Sequence, residues 1–156
     1  MIEGSVTFEE LLQKRGFLAY TIRGRSMMPL LRQKKDVVII RRKGEERCKK
    51  NDVVLYRYRN GNELKYILHR ILEVRPDDYV IAGDNNAFLE YGITDQQILG
   101  VMTSIRRNGE DISPDNKLYR LYVHLWCDCY PARMRIIKGR NKVRNLLSNL
   151  KHWVVK

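Results

Sequence analysis

The chain has 156 residues, 31% of them charged, and a formal net charge of +12. That is the length of one domain, long enough to bury about two-thirds of its unfolded surface. No window approaches the roughly 18 apolar residues of a membrane helix, and Met1-Ile2-Glu3-Gly4 lacks the start of a secretion signal, so a soluble, cytoplasmic protein is expected.

Thr7-Phe8-Glu9-Glu10 has the spacing of a capping box, and Phe8, Leu11 and Leu12 give a short helix one apolar side up to Arg15-Gly16. Residues 17–22 read as a strand leading into Gly24-Arg25-Ser26. Further β-type runs cover 37–40, 53–58, 64–74, 79–82 and 98–105, separated by Gly, Asn, Asp and Pro signals. Asn60-Gly61-Asn62 predicts a hairpin turn. Many short strands without alternating helices predict a mainly β (α+β) fold, a compact barrel-like antiparallel sheet over residues 1–112. At Ser113-Pro114-Asp115 a helical extension, 113–156, begins. Leu118, Leu121, Tyr122, Leu125 and Trp126 recur at helical spacing and predict a face packed on the sheet. Pro131 is expected to break this helix before a basic one over 133–153.

Three cysteines, Cys48, Cys127 and Cys129, do not make a disulfide framework and read as reduced thiols. His124 near Cys127 and Cys129 supplies a third potential ligand without a fourth, so no metal is expected, and no cofactor. From Tyr130 to Lys156 there are eight Lys or Arg and no Asp or Glu. Such a tail attracts acidic surfaces, which makes peripheral contact with an acidic membrane an expectation beside the plain reading of a solvated basic face.

Chemistry concentrates at three places: Ser26, His69 in Leu68-His69-Arg70, and Asp84 in Gly83-Asp84-Asn85-Asn86. A serine hydroxyl becomes a useful nucleophile when a base takes its proton. An imidazole, titrating near about pH 6.5 in water, suits that role, and a carboxylate can fix its tautomer. Gly24 leaves room for a substrate, Met27 and Met28 read equally as groove walls or as ordinary core filling, and backbone N–H groups around Ser26 are candidate oxyanion donors.

These boxes resemble the type I signal peptidases and the self-cleaving SOS-response repressors, one clan of serine peptidases. Gly24-Arg25-Ser26-Met27-Met28-Pro29 is similar to the nucleophile box. Asp36-Val37-Val38-Ile39-Ile40 is similar to the following strand, with Lys35 where glycine is usual. Lys50-Asn51-Asp52-Val53-Val54-Leu55-Tyr56 is similar to the next box, with Asn51 for glycine. Tyr66-Ile67-Leu68-His69-Arg70-Ile71 matches the general-base box and Gly83-Asp84-Asn85-Asn86 the last. The resemblance covers roughly residues 17–105 in the right order.

The resemblance implies a signal-peptidase-like serine endopeptidase that processes a leader or precursor peptide bound as an added β-strand. Histidine in the base slot is the pattern of endoplasmic-reticulum signal peptidases and their relatives, whereas most bacterial members and the repressors carry lysine there. Members of the histidine type carry a second acid six residues after the Asp of the last box, a position held here by Glu90. Asp84 or Glu90 is therefore the expected orienter of His69, with Gly24, Met27, Met28 and Asn85 around substrate and oxyanion. Gly24 cannot supply the serine hydroxyl that some members add to the oxyanion hole, and no counterpart of the family's N-terminal membrane anchor is expected. Arg70 is expected to pair structurally with a carboxylate. The alternative function is an inactive peptidase-fold binding or regulatory module. Nucleic acid is not the expected partner of a repressor-like module, since 25 residues before Ser26 are too few for a helix-turn-helix and its linker, while direct contact of the basic tail with nucleic acid or membrane stays open as part of the alternative.

Overall fold

Helix α1, Phe8–Arg15, forms where its capping box predicts it. The Glu10 N–H donates to Thr7 Oγ1 at 3.2 Å, and the Thr7 N–H donates to Glu10 Oε2 at 3.1 Å. Gly16 ends it at φ 76°, a left-handed conformation that favours glycine. The computed structural model describes residues 6–154.

Eight strands follow: β1 Phe17–Thr21, β2 Val37–Arg42, β3 Val53–Asn60, β4 Glu63–Val74, β5 Tyr79–Ala82, β6 Glu90–Ile93, β7 Ile98–Arg107 and β8 Glu110–Ile112. They form one antiparallel sheet in the order β1-β2-β7-β3-β4-β5-β6, with β8 added to β7. The β3–β4 hairpin turns over Gly61-Asn62 as expected, with Asn60 paired to Glu63. Strands β6 and β8 were not expected, because three or four residues are too short to display an alternation.

The mainly β, α+β character is as predicted, but the sheet does not close into a barrel. β1 and β6 remain its edges. Phe8 of α1 stands between β1 and β4, its ring 5.0 Å from that of Tyr20 and 5.2 Å from that of Tyr66. An aromatic wedge thus occupies the side on which β1 would otherwise approach β4.

Both faces of the central strands are buried, because successive side chains point in opposite directions. Val53 and Leu55 join Leu12, Leu31, Ile40 and Ile105 in one core, while Val54 and Tyr56 join Ile71, Tyr79 and Ile81 in another. Gly100 lets β2 and β7 approach closely, since a Cβ there would lie 2.6 Å from the Arg41 carbonyl oxygen.

The helical extension differs from expectation in three ways. Helix α2, Lys117–Tyr122, starts two residues after Asp115, because the Asn116 side chain accepts from the N–H groups of Leu118 (2.8 Å) and Tyr119 (3.4 Å). A π-helical turn, Val123–Asp128, continues it, and the break falls at Cys129, φ −84° and ψ 47°. Pro131 instead sits in the first turn of α3, Tyr130–Val154, where a missing N–H removes no bond. Most importantly, Tyr119, Val123 and Cys127 face the core, with Tyr122 and Trp126 packed beside them, while Leu118, Leu121 and Leu125 face outwards. Among the described residues no helix is long and apolar enough to cross a membrane.

Candidate active site

The Ser26 segment is a compact turn after β1. The Met28 N–H donates to the Arg25 carbonyl at 3.2 Å and the Leu31 N–H to the Met27 carbonyl at 2.9 Å. Met27 is buried and anchors the turn in the core, whereas Met28 is exposed. Behind the turn, Asp36 is wholly buried and gathers the Arg32 N–H (2.8 Å) and the guanidinium groups of Arg32 and Arg107. Burial alone would raise its pKa. The two arginines overcome that and hold it at about 2, so Asp36 is a fixed anion bracing the loop.

A second turn, after β5, grips Ser26 from the other side. The Asn85 N–H donates to the Ser26 carbonyl at 2.7 Å, and Asn85 Nδ2 donates to the Arg25 carbonyl at 3.0 Å. Gly83 permits this approach, because a Cβ there would fall 2.7 Å from the Ser26 carbonyl oxygen. Ala82 pairs with Arg70, so the gripping turn begins beside the strand segment that carries His69. Asn85 was expected in the oxyanion region, but its N–H and its side chain are both committed to this clamp. The Arg140 guanidinium donates to Asn85 Oδ1 as well.

His69 and Arg70 are neighbours on β4 and point to opposite faces. His69 lies opposite Val54 and Arg70 opposite Val53. The His69 ring, 5% exposed, donates from Nδ1 to Glu90 Oε1 at 2.7 Å. The Tyr56 hydroxyl donates to Glu90 Oε2 and stands 3.4 Å from His69 Nδ1. Burial pushes the Glu90 pKa up, but the hydrogen bonds from His69 and Tyr56 outweigh it and the net direction is down. Burial, with Glu90 beside it, drives the Tyr56 phenol far above its ordinary range, so it stays a donor. A carboxylate on Nδ1 requires the proton there and leaves the Nε2 lone pair of the neutral ring free to accept another.

Asp84 is therefore not the partner of His69. It is wholly buried and receives both Arg70 Nε (2.9 Å) and Arg70 Nη2 (2.8 Å) in a bidentate pair, together with the Tyr122 hydroxyl at 2.9 Å. Arg70 also donates to the Tyr119 hydroxyl at 3.1 Å, and the Trp126 indole N–H donates to the Asp84 carbonyl at 2.9 Å. Arg133, equally buried, approaches Asp84 at 3.9 Å and lies over the Tyr130 ring at 4.8 Å. Tyr119 and Tyr122 turn inwards because their hydroxyls satisfy this buried pair, which leucines cannot do. Burial and the Asp84 charge push the neighbouring Cys127 thiol up to about 12, so it is no nucleophile. His124 faces Asp128 at 2.9 Å.

A cavity of about 160 Å³ has Ser26 and Gly24 on its wall, with Leu18, Tyr20 and Ile22 from the β1 side and Tyr66 and Leu68 from β4. Gly24 has open space around it. The Ser26 hydroxyl and the His69 ring are not hydrogen-bonded to one another, and His69 is not among the residues lining this cavity. A larger recess, about 340 Å³, lies by α1, Arg42 and Asp95 and includes no residue of this constellation. Tyr56 is the site residue that sequence reasoning missed. Its signal was its place two residues from Val54, the cross-strand partner of His69, and hence on the same face of the sheet.

Compared with protein families, curated proteins and solved structures, the chain matches none of them.

Proposed function

We propose that this chain is a serine endopeptidase of the signal-peptidase type, working through Ser26, His69 and Glu90. The observation that carries the reading is the part-buried 2.7 Å hydrogen bond from His69 Nδ1 to Glu90, which sets the ring's tautomer for base catalysis. In the proposed reaction Ser26 Oγ attacks the scissile carbonyl carbon while its proton passes to His69 Nε2. Glu90 stabilises the imidazolium. The N–H groups of Ser26 and Met27, which donate to no backbone acceptor among the described residues, hold the oxyanion. His69 then protonates the leaving amine, the peptide C–N bond breaks, and water hydrolyses the acyl-serine by the same steps in reverse roles.

The substrate would be an extended leader or precursor peptide. β1 pairs only with β2, and β5 covers β4 from Arg70 onwards, leaving residues 63–69 of β4 with one free edge. Both free edges border the cavity at Ser26, which suits a peptide added as a strand, one side chain filling the apolar cavity. Incubating the protein and Ser26→Ala with a library of leader-like peptides, with cleavage read by mass spectrometry, tests the reading. Cleavage by the unaltered chain and none by the variant is expected. Equal inertness across the library would remove the enzyme reading.

A further inference from the structure

The helical extension carries a feature that neither core nor active site explains. Leu118, Leu121 and Leu125 are 76%, 52% and 66% exposed, at a spacing that aligns them along the outer side of α2 and the π-helical turn. The inner side is already committed to the core, so this stripe has no work in the fold. Large leucines left in water on consecutive turns mark an interaction surface.

The charges around the stripe select the partner. Lys117 and Arg120 flank the leucines, and α3 continues with exposed Arg135, Lys138, Arg140, Lys142 and Arg144. Between Lys117 and Arg144 the single acid is Asp128, which is paired with His124 and Lys50. α3 also exposes Ile136, Val143 and Leu147 among its cations. A second copy of the chain would bring two such basic faces together and is disfavoured by charge. Nucleic acid would take the cations and leave the leucines in water. An anionic bilayer satisfies both, since apolar side chains enter the acyl boundary while Lys and Arg stems reach the headgroups.

We infer that the α2–α3 extension is a peripheral docking surface for anionic lipid membranes, with Leu118, Leu121 and Leu125 as its inserting residues. The inference is independent of the peptidase chemistry. It is tested by co-sedimentation of the full chain with vesicles of phosphatidylcholine alone or of equal parts phosphatidylcholine and phosphatidylglycerol. Binding to the anionic vesicles, weakened by salt and absent from the neutral ones, is expected. Leu121→Glu with Leu125→Glu should reduce it at least about tenfold, and Lys138→Glu with Lys142→Glu by a similar factor. All four positions are exposed, so the variants should fold, as circular dichroism would check. Failure to bind either vesicle, equal binding to both, or indifference to the leucine changes would overturn the inference. A lipid-free dimer dissolved by the leucine changes would assign the stripe to a second copy. DNA binding that survives those changes, without vesicle binding, would assign the cations to nucleic acid.

Discussion

His69 and Arg70 are adjacent on one strand, each holds a carboxylate, and the two pairs have opposite characters. The Arg70–Asp84 pair is closed: both side chains are 0% exposed, and two tyrosine hydroxyls surround it. The His69–Glu90 pair is open at one end, with Glu90 18% exposed and no protein partner on His69 Nε2 among the described residues. Arginine stays charged at any working pH, so its pair is a fixed dipole that fastens the extension to the sheet. Histidine can take up and release a proton, so its pair is one that can turn over. A one-residue step in a strand, with its reversal of face, separates a closed ion pair from the open one that the proposed mechanism uses.

Breaking each pair should therefore give different kinds of loss. Glu90→Gln keeps the size of the side chain but lets an amide face Nδ1, so the ring loses its fixed tautomer. On the proposed mechanism, peptide cleavage should fall by about 10⁴-fold in kcat with little change in the urea midpoint, by analogy with the acid-to-amide change in a serine-peptidase triad. If Glu90→Gln cleaved as well as the parent, the assignment of the orienter would be wrong. Asp84→Ala should do the reverse and act on the fold. It leaves Arg70 buried without its carboxylate, and equilibrium unfolding should show a loss of about 3–5 kcal/mol. Replacing Arg70 by Met in the same background should return part of that loss, because the stranded charge is then gone. A drop below about 1 kcal/mol for Asp84→Ala would mean that the closed pair fastens nothing.

The same contrast explains what could be read before the structure. Helix α1, the order of the main strands and the Gly61 hairpin follow from capping, alternation and turn chemistry, which are local. Ser26 and His69 were legible because each stands in a distinctive local run. The choice between Asp84 and Glu90 was not, because both lie a short distance downstream and only the register of β5 and β6 decides which face each reaches. Tyr56 is one of nine tyrosines, and only the cross-strand register that sets Val54 opposite His69 marks it as the donor to Glu90. The helix face was misread for a related reason. Apolar spacing predicts the leucines inwards beside Tyr122 and Trp126, but the buried ion pair beneath the helix takes the hydroxyls of Tyr119 and Tyr122 and the Asp84 carbonyl takes the indole N–H, and that tertiary requirement turns the leucines out.

Tyr56 allows the finest test of the open pair, because its hydroxyl donates to Glu90. Tyr56→Phe removes one hydroxyl from a buried position and preserves the ring that fills the second core. The hydrogen bond from that hydroxyl is among the causes that lower the Glu90 pKa, after burial, which raises it, and the bond from His69. Its removal should therefore raise the Glu90 pKa. For a carboxylate depressed in the folded state, the benefit of its charge is present above the unfolded pKa and fades as pH falls through the folded one. Raising the folded value narrows that window from below, so the acid limb of the cleavage profile should move to higher pH. A fall of about tenfold in kcat/KM near neutrality should accompany it, the scale of one hydrogen bond to a charged group. A variant that lost stability while its pH profile stayed in place would make Tyr56 a packing residue. A shifted acid limb without loss of stability would make it the positioning residue of the pair.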